Sequence, residues 1–225
     1  MQESAALNSV ATPGITPLEA VQARILGCLI EKEATTPEAY PLTINAIVAA
    51  CNQKTSREPV MHLVPGAVAH ALRSMEETGL VKLAPASQRA LRYEHRFDAM
   101  YGVTGRQRAV LCLLLLRGPQ TLGELLTRSQ RITEFHSDDE VRDTLERLIT
   151  RDPPLAVDLG RAPGQRENRY MHLLCGHVDA SQFVSAAPAQ STPAPMPERD
   201  DDLYQRVERL EAELASLRRD LDELR

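Results

Sequence analysis

The sequence predicts a mainly α protein with small β hairpins (α+β), built as two tandem copies of one small unit and closed by a C-terminal coiled-coil helix. Three observations predict it. Arg92-Tyr93-Glu94-His95 and Arg169-Tyr170-Met171-His172 share an Arg-Tyr-x-His frame. Each frame follows a helical segment with matching apolar teeth, Val68, Leu72 and Met75 in the first and Val141, Leu145 and Leu148 in the second. A fixed order repeated at a near-constant offset marks one supersecondary unit used twice. Near the C-terminus, Leu203, Val207, Leu210, Leu214, Leu217, Leu221 and Leu224 alternate by four and three, the seam of a coiled coil.

Residues 1–15 are small and polar and read as a flexible arm. The first unit occupies residues 16–100. Thr16-Pro17-Leu18-Glu19 has the order of a helix start, with Thr as N-cap, Pro at the first helical position and Glu completing a capping box. Leu18, Val21, Ile25, Leu29 and Ile30 place one apolar stripe on that helix. After a Thr- and Pro-rich loop, a second helix is expected over Thr43 to Cys51 and a polar connection over Asn52 to Pro59. A third helix spans Pro65 to Thr78 and stops at Gly79. Leu80, Val81 and Leu83 begin a strand, and Leu91 to Phe97 returns as its partner with period-two alternation.

The second unit, residues 101–175, repeats the order. Helices are expected over Arg106 to Leu116, Leu122 to Ser129 and Asp138 to Thr150, and strands over Leu155 to Leu159 and Arg169 to Leu174 around a Pro163-Gly164 turn. Three helices followed by a β-hairpin is the winged-helix plan, a helix-turn-helix variant whose hairpin is the wing. Residues 176–199, rich in Ala, Pro, Ser and Gln, form a linker, and residues 200–225 form the coiled-coil helix. With Leu203 at d, a parallel pair sets Arg206 against Glu211, Glu213 against Arg218 and Asp220 against Arg225. All three pairs attract, which favours self-association into a homodimer, while docking of this helix on its own body is the alternative.

Several strings resemble the YceH-like family of uncharacterised bacterial proteins. They are Glu31 to Leu42 (EKEATTPEAYPL), Asn52 to Met61 (NQKTSREPVM), Arg92 to Phe97 (RYEHRF), Arg117 to Thr121 (RGPQT) and Arg169 to Leu173 (RYMHL). The resemblance spans about residues 17–175 and implies a tandem winged-helix fold with no known enzymatic activity. Val64-Pro65-Gly66 departs from the family pattern, in which a Ser-Glu type helix cap is expected.

Composition bounds the function. Hydrophobic residues make up 43% of the chain, yet aromatics are 4% and Trp is absent, so the cores must be built from Leu, Val, Ile and Ala. The longest apolar run, Ala109 to Leu116, is too short to span a bilayer and the N-terminus carries no signal-like segment, so a soluble cytoplasmic protein is expected. Cys28, Cys51, Cys112 and Cys175 show neither CxxC nor disulfide-framework spacing; no metal site and no cofactor is expected. Of 26 Lys+Arg and 31 Asp+Glu, residues 176–225 hold 6 and 11, leaving 20 and 20 for the body. The net charge of -5 therefore belongs to the tail, and partners of the body must be sought in local patches.

A winged helix ordinarily reads DNA with its third helix, which needs Arg, Lys, Asn or Gln facing the base edges. Residues 65–78 offer Arg73 against Glu76 and Glu77, and residues 137–150 open on Asp138, Asp139 and Glu140, which repel phosphate. The hairpins carry the cations instead: Arg89, Arg92 and Arg96 in the first, Arg161, Arg166 and Arg169 in the second, with Lys54 and Arg57 in a nearby loop. Two readings stand side by side. In one, these eight residues hold DNA phosphates with little base specificity. In the other, they are solvated or paired strand charges, and the protein binds a protein partner through its third-helix faces. No Ser/His/Asp order, phosphate loop or ligand cluster suggests an enzyme.

Overall fold

The computed structural model describes residues 16–84, 90–161 and 164–178. The N-terminal arm, Arg89, the linker beyond residue 178 and the leucine ladder from Leu203 to Leu224 lie outside the described residues. Within them are seven α-helices and two small antiparallel sheets.

Helix α1 (Ala20–Thr35) packs along α5 (Gly105–Arg117), and this pair is the spine of the molecule. The sequence suggests one apolar stripe on α1, but every residue from Ala23 to Ile30 is buried, as is every residue from Ala109 to Leu116 on α5. A helix buried all round needs apolar surface on both sides of it. Each spine helix meets its own half on one side and the other half on the opposite side: α1 touches α2 (Ile44–Cys51), α3 (Pro65–Glu77) and β3 (Arg92–His95), while α5 touches α6 (Leu122–Ser129), α7 (Asp138–Thr150) and β5 (Tyr170–His172). The apolar run Ala109 to Leu116 is thus the wall shared by both halves, and one continuous core includes residues from each. Gly27 permits the close approach: a Cβ there would lie 2.8 Å from Leu116 Cδ2, and Cys112 Sγ sits 3.3 Å from the Gly27 carbonyl.

The start of α1 differs from the expectation. Glu19 is the N-cap and forms a capping box with Gln22, so the helix begins after the Thr16-Pro17 pair. Leu18 is pulled out of the helix because its side chain is buried and its N–H donates to the Leu174 carbonyl at 2.8 Å, stitching the first helix to the end of the second hairpin. Where a Ser-Glu cap is expected on α3, Val64 caps without a side-chain bond and Pro65 begins the helix, its missing N–H costing nothing at that position. At the other end Gly79, with φ of 76°, donates to Glu76 while Leu80 donates to Met75, closing the helix as the sequence predicts.

In the first half, β2 (Val81–Leu83) pairs with β3, and β3 pairs on its other edge with β1 (Leu42–Thr43), a two-residue strand that alternation cannot reveal. In the second, β4 (Ala156–Asp158) pairs with β5, and a single Gln120–Tyr170 bridge stands where β1 would be. The halves are joined by α4 (Phe97–Tyr101), also absent from the sequence reading, whose Phe97 and Tyr101 rings pack at 4.8 Å. Among the described residues no helix is long and apolar enough to cross a membrane.

Candidate nucleic-acid interface

The repeated arginine of each hairpin frame turns inward to the chain. Arg92 Nη1 donates to the carbonyls of Pro41 at 2.7 Å and Ala39 at 3.3 Å. Arg169 Nη1 donates to the Pro119 carbonyl at 2.9 Å and lies 3.2 Å from Glu124, while its Nε donates to Gln165. Pro41 and Pro119 each stand two residues before a helix-capping threonine, Thr43 and Thr121, whose hydroxyls accept from Ala46 and Glu124 N–H groups. The Pro-x-Thr pair is therefore a second repeated motif, legible in the sequence, and the hairpin arginine fastens it to the sheet. Arg92 and Arg169, expected on the phosphate face, are half-buried and direct these hydrogen bonds to the chain's own carbonyls.

Arg57 is a correction as well. It is buried, with Nη1 and Nη2 donating to the two Glu31 carboxylate oxygens at 3.2 and 2.6 Å and Nε donating to the Ala50 carbonyl. Burial pushes the Glu31 carboxyl up, but the Arg57 bonds and charge, with Lys32, bring it below its ordinary value. A second buried arginine, Arg24, donates to the carbonyls of Cys51 and Pro59 and ties the end of α2 to the loop. Both guanidiniums are thereby removed from any surface role, because the loop's own carbonyls need donors.

What remains exposed is Lys54, Arg96, Arg161 and Arg166, none of which has a carboxylate partner among the described residues. Arg89 falls outside them. On the third helices acids outnumber cations: α3 sets Arg73 against Glu76 and Glu77, while α7 opens on Asp138, Asp139 and Glu140, with Arg142 held 2.5 Å from Asp139 and Arg147 exposed.

Lys54 opens on a cleft of about 360 Å³ at the seam of the two halves. Its cationic lining is Lys32, Lys54, Arg117, Arg128 and Arg131, and Glu31 is its one acid among the described residues. Lys32, Arg117 and Arg128 were not singled out from the sequence, although each sits in the last turn of a helix, where the macrodipole favours a cation. Arg131 has no local signal at all; only the packing of α6 on α5 brings it to Lys54.

The two hairpin histidines part company. His95 Nε2 lies 3.0 Å from Glu33 and its Nδ1 accepts from Phe97 N–H, so the ring is a hydrogen-bonded link in a group that continues to Arg108 and Asp98. Burial lowers its pKa, and the Glu33 carboxylate opposes that. His172 is buried with Nδ1 unpartnered among the described residues, and burial alone takes it down to about 4. Cys28, Cys51 and Cys112 are buried thiols and Cys175 is exposed; among the described residues no group of three His, Cys, Asp or Glu side chains is placed to hold a metal ion.

A family model described as "Protein of unknown function, DUF480" matches residues 18–165. The chain is similar to a UPF0502 protein of Stenotrophomonas maltophilia (strain K279a), 54% identical over 222 residues, covering 97% of this chain and 99% of the relative. It is also similar to a UPF0502 protein of Xanthomonas euvesicatoria pv. vesicatoria (strain 85-10), 53% identical over 200 residues and 89% of each chain. The matched span takes in the two spine helices and both three-helix sets, and the chain belongs to this DUF480 (UPF0502) bacterial family.

Proposed function

We propose that this is a non-enzymatic, cytoplasmic tandem winged-helix protein that self-associates through its leucine ladder and binds the backbone of nucleic acid. The repeated order of three helices and a hairpin supports the winged-helix reading. The observation that carries the binding reading is the set of exposed, carboxylate-free cations Lys54, Arg96, Arg161 and Arg166 on the loop and hairpins, against third helices on which acids outnumber the exposed Arg73, Arg142 and Arg147. Such cations suit phosphate contacts that position without reading bases. A dimer engaging about four to six phosphates gives a log-log salt slope of about -4 to -5. Anisotropy titrations of duplex DNA across ionic strength measure it, and Arg96→Glu/Arg161→Glu/Arg166→Glu is expected to abolish binding. An absence of salt-dependent binding at low ionic strength removes the reading.

A second reading, a protein-interaction module, is favoured by Val60 in the loop before α3 and Val64 at its N-cap, both exposed, and by the acidic opening of α7. A partner recovered stoichiometrically by the wild type and lost with Asp138→Lys/Asp139→Lys supports it over the first.

A further inference from the structure

We propose that the cleft between the two halves is a binding site for a compact, multiply charged phosphate compound, a chain of linked phosphates of the kind carried by nucleoside triphosphates. This goes beyond the nucleic-acid reading and shares only Lys54 with it. At about 360 Å³ the cleft has the volume of a small-molecule site, for which about 300–1,000 Å³ is usual. Its sole carboxylate among the described residues, Glu31, is chelated by Arg57 and lies 3.5 Å from Lys32, and Arg128 pairs with Glu124 from outside the cleft, so Lys54, Arg117 and Arg131 are the lining cations without a carboxylate partner among the described residues.

Helix ends account for part of this concentration. Lys32, Arg117 and Arg128 complement the C-terminal dipoles of α1, α5 and α6. Lys54 and Arg131 do not lie in a helix's last turn, are exposed, and have no ion pair among the described residues. Arg117 is only half-exposed, and its pKa is drawn down by burial and by the Arg128 charge beside it. It donates to the Ser56 hydroxyl, a neutral partner that leaves its charge uncompensated. Like charges held together at a cost in stability are what a polyanion relieves on binding.

The walls carry neutral donors as well, Gln53, Thr55 and Ser56, above a floor that includes Leu113, Leu116 and Ile132. No aromatic side chain lines it among the described residues, so a base finds no stacking surface and the phosphate chain is the recognised part. A recessed Arg117 suits a ligand that enters the cleft, whereas duplex phosphates are met by projecting side chains. A second recess of comparable size, about 340 Å³ beside the second hairpin, has Arg142 against Asp138 and Glu167 and no such surplus.

The test is calorimetric titration of the full chain at low ionic strength with inorganic tripolyphosphate, repeated with ATP. Saturable binding of one equivalent per chain is expected, with ATP and tripolyphosphate competing. Lys54→Gln/Arg131→Gln should weaken both by about tenfold or more, since each charge-assisted contact contributes on the order of a kcal/mol. Both side chains are exposed, so this variant should fold, and its thermal midpoint without ligand should be equal to or above that of the wild type. The hairpin variant Arg96→Glu/Arg161→Glu/Arg166→Glu should keep tripolyphosphate affinity while losing duplex DNA, which separates this proposal from the nucleic-acid reading. The proposal is overturned by an absence of saturable tripolyphosphate binding, by binding that Lys54→Gln/Arg131→Gln leaves unchanged, or by a cleft variant that loses duplex DNA alone.

Discussion

In the first half two guanidinium groups, Arg24 and Arg57, lie inside the structure, while the second half buries Gln120, Ser129, Thr144 and His172, none charged at neutral pH. The hairpin frames are the same in sequence and their arginines do the same work, each clamping the loop before a capping threonine. Their histidines differ because of what the spine helix offers. Helix α1 carries Glu31 and Glu33 near its end, and these reach Arg57 and His95. Helix α5 presents an unbroken apolar surface from Ala109 to Leu116, and His172 is shifted by desolvation alone. The two halves thus share the hairpin clamp and differ in the polar groups behind it, buried guanidiniums in the first and buried neutral groups in the second.

The sharpest break of this comparison is Arg57→Ala. It leaves the Glu31 carboxylate, whose side chain is 17% exposed, with only Lys32 at 3.5 Å, and removing the buried partner of such a pair costs up to about 3–5 kcal/mol. Urea unfolding measures it, with exposed Arg161→Ala, expected within about 0.5 kcal/mol of wild type, as the control. A loss for Arg57→Ala no larger than the control's would mean that the first half does not depend on its buried charge.

The next effect concerns pH. The His172 pKa is lowered from the ordinary 6.5 to about 4, so between these values the unfolded chain binds the proton and the folded chain does not. Stability from this group is present above pH 6.5 and falls as pH drops toward 4, by about 3 kcal/mol in full. His172→Gln should flatten the decline in urea midpoint between pH 7 and pH 5. His95→Gln should flatten it less, because Glu33 offsets the burial of that ring. Equal slopes for the two variants would erase the distinction drawn between the hairpins.

Smallest is the shared feature. Arg92→Ala and Arg169→Ala each remove carbonyl hydrogen bonds from partly exposed guanidiniums, at about 1–2 kcal/mol apiece by thermal or urea unfolding. Similar losses sharpen the picture of one clamp used twice; a large inequality assigns the clamp to one half.

The spans of α2, α3, α6 and α7 and the hairpin partners were legible because each follows from local periodicity, caps and turn residues. The Gly79 stop is of this kind. The misses share another cause. Strand β1 is two residues long and exists only as the edge partner of β3, and α1 starts late because Leu18 is held by Leu174 from the far end of the fold. Among the candidate phosphate ligands, a charge at a polar loop position looks the same in sequence whether it meets solvent, as Lys54 does, or a carboxylate on another helix, as Arg57 does.

The sequence by itself determined the repeated Arg-Tyr-x-His frame, where α2, α3, α6 and α7 lie, and that the third helices carry more acids than bases, since helix caps and hydrophobic period act within a few residues. Only the tertiary structure decided that α1 and α5 share one core, that three of the eight candidate cations serve the fold, and that Arg117 and Arg131 converge with Lys54 across the seam. The reason is that burial and ion pairing are set by which elements meet, and residues distant along the chain carry no local mark of the neighbours that will use up their hydrogen bonds or leave their charges exposed.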